Sequence, residues 1–527
     1  MTLSPSCFDL PKDAEVNEII LGLQNQFAIS DNPPHTTTRI FLDTFDWRLF
    51  EAQLRLECEI INTTRTFILH HAEQNQILAA LQMDKSARFI EDFPQSTLKK
   101  RLTSVIEMRA LVPVVSLRCE LHELNILNTD KKTVVKLRLE KNNILKESGR
   151  PGVLLNHSLV LQPVRGYKKQ FDTILMFARD NLQLALSDQD IYSQALIKLK
   201  IQPGGYTSKP DIQLDPQMRA DTATKRILLH LLATLQANEQ GTIDDVDSEF
   251  LHDFRVACRR TRSALSQIKA VFPNKVVERF KREFAWLQNV TGPTRDLDVY
   301  LLNFDEYKSS VPEHFQNALE PLHDFLRRHQ GIEQKKLAHT LHTQRYHRLV
   351  NSWTQFLQAP VPARSSSANA ARPIIDVANE RIWKMYKRVV HEGKAINDQS
   401  PPEVLHELRK SCKKLRYLME FFNNLYTRAD ISLLIKALKQ LQNNLGDYND
   451  LHVQIESLEH YGKQMMEQDQ PPAETFLAMG TLIEGLDQKQ QALRREFESQ
   501  FQQFNAPQYH TVFKKLFTNT PADSSEQ

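Results

Sequence analysis

Two stretches of this 527-residue chain place a histidine ahead of regularly spaced cations. His252-Asp253-Phe254-Arg255 is followed by Arg259, Arg260 and Arg262, and His406-Glu407-Leu408-Arg409 by Lys410, Lys413, Lys414 and Arg416. On a helix turning about 100° per residue, His252, Arg255, Arg259 and Arg262 fall within an arc of roughly 80°, with Arg260 beside it. Phe254, Ala257, Thr261, Leu265 and Ile268 fall on the opposite side, where a core is expected. The second stretch repeats the division, with Leu408, Cys412, Leu415, Met419 and Phe422 as its apolar face. Like charges one helical turn apart repel, and surface helices usually interleave carboxylates with their cations. A face of His, Arg, Arg and Arg is therefore better explained by an anion that neutralises it than by solvation alone. Guanidinium suits phosphate in particular, because its planar fork donates two parallel hydrogen bonds and keeps its charge. The His252-Asp253 pair is the kind that metal-dependent phosphohydrolases use, but it stands alone and the second copy reads His-Glu. No metal is expected there.

The two stretches are copies of one unit. Cys258 matches Cys412, Leu287-Gln288-Asn289 matches Leu441-Gln442-Asn443, and Gly292, Asp296-Leu297 and Val299 match Gly446, Asp450-Leu451 and Val453, always 154 positions on. A one-residue slip also relates Arg226-Ile227 to Arg381-Ile382, which adds Arg226 and Arg381 to the candidate anion-binding residues. Helical periodicity covers residues 220–237, 250–271, 274–288, 313–357, 374–392, 403–425, 431–445 and 473–504. Gly292 and Gly446 each follow a periodic run as a helix C-cap would, and Asp296 and Asp450 then sit where the next N-cap is expected.

Residues before about 205 have another character. Leu54-Arg55-Leu56-Glu57-Cys58-Glu59-Ile60, Leu117-Arg118-Cys119-Glu120-Leu121-His122 and Val134-Val135-Lys136-Leu137-Arg138-Leu139-Glu140 alternate apolar and charged residues, as half-buried strands do. The fold class expected is two-domain α+β: an antiparallel sheet domain (1–204), a linker (205–216) that Pro203-Gly204-Gly205 opens and that holds Pro210 and Pro216, and a duplicated helical domain (217–518). Within the latter, repeat 1 covers about 217–358, repeat 2 about 374–518, and the Pro/Ser/Ala-rich segment 359–373 is a flexible or extended connector. Residues 519–527 are a tail that looks frayed. The five scattered cysteines lack metal or disulfide spacing, and no apolar stretch is long enough for a membrane span or signal peptide. A cytoplasmic protein is expected. The formal net charge of only +3 means that anion binding must come from local clustering.

The His/Arg stretches, with Gly292, Arg295-Asp296, Gly446 and Asp450, resemble the CHAD domain, the conserved histidine alpha-helical domain. That resemblance implies two pseudo-symmetric four-helix bundles whose basic faces line a shared groove or pore. It implies binding of inorganic polyphosphate, with an association with polyphosphate granules, and adds Arg295 to the site. Asn449 replaces the arginine in the second copy, so this position contributes in one half. More distantly, Arg39-Ile40-Phe41-Leu42-Asp43-Thr44, Leu49, Leu54-Arg55-Leu56 and Pro163-Val164-Arg165-Gly166-Tyr167 resemble the CYTH domain, whose sheet closes into a tunnel that binds triphosphate and divalent metal. The charged residues of the three strands fit such an interior, and equally the wet face of an ordinary antiparallel sheet. The Glu-x-Glu-x-Lys signature of that family is missing: residues 1–9 contain no Glu, Lys or Arg, and Glu15-Val16-Asn17-Glu18 lacks the spacing. The expectation is a polyphosphate-binding protein and not an enzyme, without cofactor. The alternatives are a triphosphatase using Mg²⁺ or Mn²⁺ in the sheet domain, and nucleic-acid binding, which the scarcity of aromatics near the stripes disfavours.

Overall fold

A computed structural model describes residues 5–10, 16–73, 76–146, 150–208 and 212–518. Glu15, Pro210, residues 1–4 and the tail from 519 lie outside the described residues. Two compact units result, 1–207 and 208–527.

In the first, eleven strands form one antiparallel sheet: β1 (Ser6–Leu10), β2 (Ala28–Asp31), β3 (His35–Thr44), β4 (Leu54–Ile61), β5 (Thr64–His71), β6 (Ile77–Met83), β7 (Leu111–Leu127), β8 (Thr133–Leu145), β9 (Pro151–Leu154), β10 (His157–Pro163) and β11 (Ala185–Leu186). The ladder runs β11-β1-β10-β8-β7-β3-β4-β5-β6. Helices α1 (Val16–Gln24), α2 (Arg48–Glu51), α3 (Thr97–Ile106), α4 (Lys168–Asp180) and α5 (Ile191–Leu199) complete the unit. Buried Asp43 accepts the N–H groups of Thr44, Leu49 and Phe50 at 2.7–3.0 Å and so holds α2 at the end of β3. Gly166, at φ 92°, makes the left-handed turn ahead of α4 that a side chain would strain.

Register decides which charges face inward. Residues opposite each other across an antiparallel ladder share a face, and Arg39 lies opposite Glu59 on β4 and Leu117 on β7. Leu121 lies opposite Glu140, and Glu123 opposite Arg138. The face carrying Arg39 therefore also carries Glu57, Glu59, Cys119, Arg138 and Glu140. Arg118 and Glu120 have the other parity and are exposed, with Glu120 facing Lys141 at 3.8 Å. The β7 charges expected in a tunnel interior are thus on the outside.

The second unit is helical throughout. Repeat 1 comprises α6 (Ala220–Ile243), α7 (Ser248–Gln267), α8 (Asn274–Val290), α9 (Gly292–Leu302), α10 (Phe304–Ser310), α11 (Glu313–Gln316), α12 (Glu320–Leu341) and α13 (Gln344–Gln358). Repeat 2 comprises α14 (Ile374–Lys394), α15 (Pro402–Phe421), α16 (Arg428–Gln468), α17 (Ala473–Phe504) and α18 (Pro507–Phe517). Every apolar-face residue named above on α7 and α15 is buried. The copies meet symmetrically: Ala220 N–H donates to the Arg372 carbonyl at 2.9 Å, and Ile374 N–H to the Met218 carbonyl at 2.8 Å. The end of the connector is consequently fixed and not flexible, with Ala370 fully buried and Asn369 N–H bonded to the Ala270 carbonyl.

The glycines expected to end helices do not. Gly446 lies inside α16, a single 41-residue helix, and Gly292 is the first residue of α9. What breaks the first copy is Pro293, which lacks an N–H and crowds the preceding turn; repeat 2 has Asp447 there and runs on. Asp296 and Asp450 are therefore inside helices and cap nothing.

Each of the two helical cores draws on both repeats. The larger gathers α6–α8, Leu337 and Leu341 of α12, and α13 with α14, α15, Ile431–Leu445 of α16, Phe497–Phe504 of α17, and α18. The smaller joins Leu297, Tyr300, Leu322 and Phe325 to Leu458, Met465, Met479 and Leu482.

Candidate anion-binding groove

Asp247 caps α7, accepting the Glu249 and Phe250 N–H groups at 2.9 and 3.2 Å, and Pro402 opens α15 at a position where a missing N–H costs nothing. These two motif helices pack against each other, which brings their basic faces together. A cavity of about 750 Å³ is lined by His252, Arg255, Arg259 and Arg295 of repeat 1 and by Arg409 and Lys413 of repeat 2. Asp296, Glu306, Asp447 and Asp450 share its wall. A second cavity, about 560 Å³, is more strongly cationic: Arg259, Arg262, Lys281, Arg282, Lys410, Lys413 and Lys414 line it, with Glu278 as the one carboxylate among its described lining residues. Arg259 and Lys413 border both cavities. They are also repeat equivalents, as are Tyr300 and Gln454, whose hydroxyl-to-carbonyl bond of 2.8 Å joins matching positions. One groove thus crosses the pseudo-twofold axis at Arg259 and Lys413.

The cations differ in how far they are committed. Arg255 donates to the Gln288 carbonyl (2.9 Å) and Thr291 Oγ1 (2.8 Å), satisfying the end of α8 that Pro293 creates. Its counterpart Arg409 meets an unbroken helix and pairs instead with Asp450 at 2.8 Å. Arg295 donates to the Ser248 carbonyl at 3.0 Å and lies 3.5 Å from Glu249. Asn449, in its place in repeat 2, holds the Nδ1 edge of exposed His406. Arg262 bonds Gln288 Oε1 at 2.6 Å, and Lys410 pairs with Glu407. Arg259 and Lys413 have no ion-pair partner among the described residues, and Arg259 Nε is buried without an acceptor. Burial, reinforced by Arg409, Arg259 and Arg416, pushes the Lys413 ammonium down to about 7 against the pull of Asp450. Burial and then Arg388 and Lys410 also lower Lys414. Burial raises the Asp296 carboxyl, opposed by Arg255 and Arg295.

Five expected site residues line neither cavity, exposed His406 among them. Arg260 is buried, bonded to the Ser208 carbonyl (2.6 Å) and Glu420 (2.9 Å), and Arg416 pairs with the same Glu420 at 3.2 Å. Together they clamp α7 to α15. Arg381 is buried and caps α7 through the Gln267 carbonyl at 2.6 Å, whereas Arg226 is exposed on α6 and borders neither cavity. The slip that related these two does not hold, since α6 and α14 start 154 positions apart. The sequence reading missed Lys281 and Arg282, which come from a helix without the histidine motif. It also took Asp296 and Asp450 for caps, although their identity at matching positions was a signal.

The family model described as CHAD domain matches residues 226–459, which include both motif helices and the axial pair. The helical unit carries a CHAD domain. An uncharacterized Mycobacterium tuberculosis protein is 28% identical over 275 residues, 52% of this chain and 51% of its own length. The chain spans about half the length of the curated relatives it matches. The crystal structure of the CHAD domain from the plant Ricinus communis is 25% identical, with TM-score 0.47, covering 56% of this chain and 95% of that one. A Hippeastrum protein whose description reports a dominant triphosphatase activity matches with TM-score 0.28 and 9% identity over 38% of this chain and 99% of that one. At those values the likeness carries no argument about activity, and the sheet has to be judged on its own residues.

Those residues are already engaged. Arg39 grips Glu57 with two bonds (2.6 and 3.2 Å) and reaches Glu140 at 3.2 Å, while Arg138 lies 3.1 Å from Glu140 and 3.9 Å from Glu59. Arg55 pairs with Asp190, and His70 stands 3.9 Å from Glu57. Against burial that would raise it, Arg39 holds the Glu57 carboxyl below the usual range. Each guanidinium of this network faces a protein carboxylate, and no group of three metal-ligating side chains occurs among the described residues. No described helix is long and apolar enough to cross a membrane.

Proposed function

We propose that the CHAD groove binds inorganic polyphosphate, or a linear polyanion of similar charge density, across the axis marked by Arg259 and Lys413. The observation that carries this reading is the pairing of those two repeat-equivalent cations, each bordering both cavities and neither offset by a carboxylate in ion-pair contact. A column of cations in a partly buried groove is electrostatically unfavourable until an anion enters. A chain with one negative charge per repeat is the ligand that can neutralise such a column along its whole length. The flanking cations Arg282 and Lys414 extend the track, whereas Arg255 and Arg409, tied to the fold, shape the groove as well as charging it. Arg39 and Arg138 on the sheet face are paired with carboxylates, so binding is assigned to the helical unit, and association with polyphosphate granules would follow from binding.

Titration with long-chain polyphosphate tests this. Engaging Arg259, Lys413, Lys414 and Arg282 should give log K against log salt a slope of about −3, or a roughly fiftyfold loss between 50 and 200 mM salt. Arg259→Glu with Lys413→Glu should abolish binding while leaving the helical circular dichroism intact. A salt-independent isotherm, or equal competition by DNA at equal phosphate, would remove the reading.

A further inference from the structure

The second cavity is bordered by Glu278, Lys281 and Arg282 on one side of α8. On the neighbouring side of that helix, facing α13, lies a further concavity of about 350 Å³ lined by Arg279, Glu283, Arg345, Arg348, Leu349 and Ser352. Arg279 and Arg282 are three residues apart, so they are neighbours on the helix surface. A chain leaving the groove over Arg282 therefore meets Arg279 next.

This concavity is organised as an anion site. The Arg345 guanidinium stacks on Trp286, 4.0 Å from the ring centroid. Stacking fixes the plane of the fork and leaves its N–H edges as the donors. One edge touches Glu283 at 3.4 Å, the one carboxylate among the described lining residues. Among the described residues Arg348 is held only by Gln344 of its own helix, at 3.2 and 3.4 Å, and Arg279 has no ion pair. Three exposed guanidiniums thus share one carboxylate, and the Ser352 hydroxyl stands beside them.

The duplication supplies an internal control. In repeat 2 the positions of Arg279, Glu283 and Trp286 are Leu433, Ala437 and Gln440, and α18, which packs on α14 and α16 as α13 does on α6 and α8, contains no arginine. The bundle forms in that copy without the cluster, so packing does not demand it in the first.

We infer that the α8–α13 concavity is an additional phosphoryl subsite, which takes the continuation of a polyanion bound in the axial groove and so favours longer chains. The inference rests on the proposed groove reading. Its ligand chemistry is the same phosphate chain, and its asymmetry makes the footprint extend over repeat 1 alone.

The test compares the full chain with Arg345→Gln/Arg348→Gln and, separately, with Arg279→Leu, the residue that repeat 2 carries. Short-chain and long-chain polyphosphate are titrated at fixed salt, and phosphates occluded per protein are counted at saturation. Wild type should bind long chains more tightly than the groove alone accounts for. The double variant should lose roughly tenfold in long-chain affinity, occlude fewer phosphates, and bind short chains as wild type does. Unchanged long-chain affinity and footprint, or an equal loss at both lengths, would overturn the subsite. Failure of wild type to bind either length would instead fail the groove reading, and this inference with it. Thermal melting of the variants checks that these exposed substitutions leave the fold intact.

Discussion

The Lys413 ammonium, pushed down to about 7 by burial and by Arg409, Arg259 and Arg416, would make binding of a polyanion in the groove a proton-uptake reaction. Its neighbours come from three elements: Arg409 and Arg416 on α15, Arg259 on α7 and the opposing Asp450 on α16. At pH 8 roughly a tenth of the free protein carries this charge, and at pH 6 roughly nine-tenths. A bound phosphate chain counters the three guanidiniums and returns the lysine toward 10.5, its ordinary value. Affinity should therefore fall about tenfold between pH 6 and pH 8, with close to one proton taken up per site at pH 8. Calorimetry at pH 8 in two buffers of different ionisation enthalpy counts that proton directly. Lys413→Arg, which stays charged throughout, should bind about as tightly at pH 8 as at pH 6. In the unliganded protein the sign reverses. The folded value lies below the unfolded one, so the unfolded chain binds more protons between about 7 and 10.5, and stability should rise with pH across that window. Zero proton uptake at pH 8, together with a wild-type pH profile no steeper than that of Lys413→Arg, would refute the reasoning.

Other expectations concern the scaffold. A Cβ on Gly393 would sit 2.0 Å from the ring of buried Phe501, so Gly393→Ala should cost about 1–3 kcal/mol by overpacking. Gly480→Ala, in open space on α17, should gain up to about 1 kcal/mol; denaturant titration compares the two. Arg39→Met strands Glu57 and leaves Glu140 to Arg138 alone, and should destabilise the sheet unit by about 3–5 kcal/mol near neutral pH. That deficit should shrink as pH falls and the stranded Glu57 carboxylate takes up a proton, which melting curves across pH will read. The compact unit 1–207, whose Arg39 and Arg138 are committed to Glu57, Glu59 and Glu140, should release no phosphate from tripolyphosphate with Mg²⁺ or Mn²⁺; release lost on Glu57→Gln would reverse that assignment.

Much of this was legible in the residues, for identifiable reasons. A repeat with constant offset preserves helix phase, so the basic face of α7 implied that of α15, and opposite apolar faces implied a common core. The errors came where one dimension of information had to serve for three. The helical wheel placed Arg260 beside the stripe but could not reveal Glu420 waiting on α15. Alternation along β7 told which residues share a face, yet not which face is inward, and only the register with Arg39 decides that. Gly446 looked like a stop because glycine costs about 1 kcal/mol in a helix. Packing on both sides of α16 outweighs that cost, whereas Pro293 in the other copy cannot be overridden.

The interleaving of the two helical cores has a consequence for how such a chain could arise and how it must unfold. Helix α16 contributes Leu434, Leu438 and Leu441 to one core and Leu458 and Met465 to the other, and α12 and α17 also cross from core to core. A single copy of the repeat would leave half of each core open to water, and could close both only by pairing with a twin. The geometry is that of a homodimer whose two subunits have become one polypeptide, the reciprocal bonds at Ala220 and Ile374 being the relic of its dyad. In one polypeptide the two halves are free to differ, as they do at Pro293 and in the arginine cluster of repeat 1. For the same reason neither repeat is a fragment that can melt first, and this unit should unfold as one cooperative body.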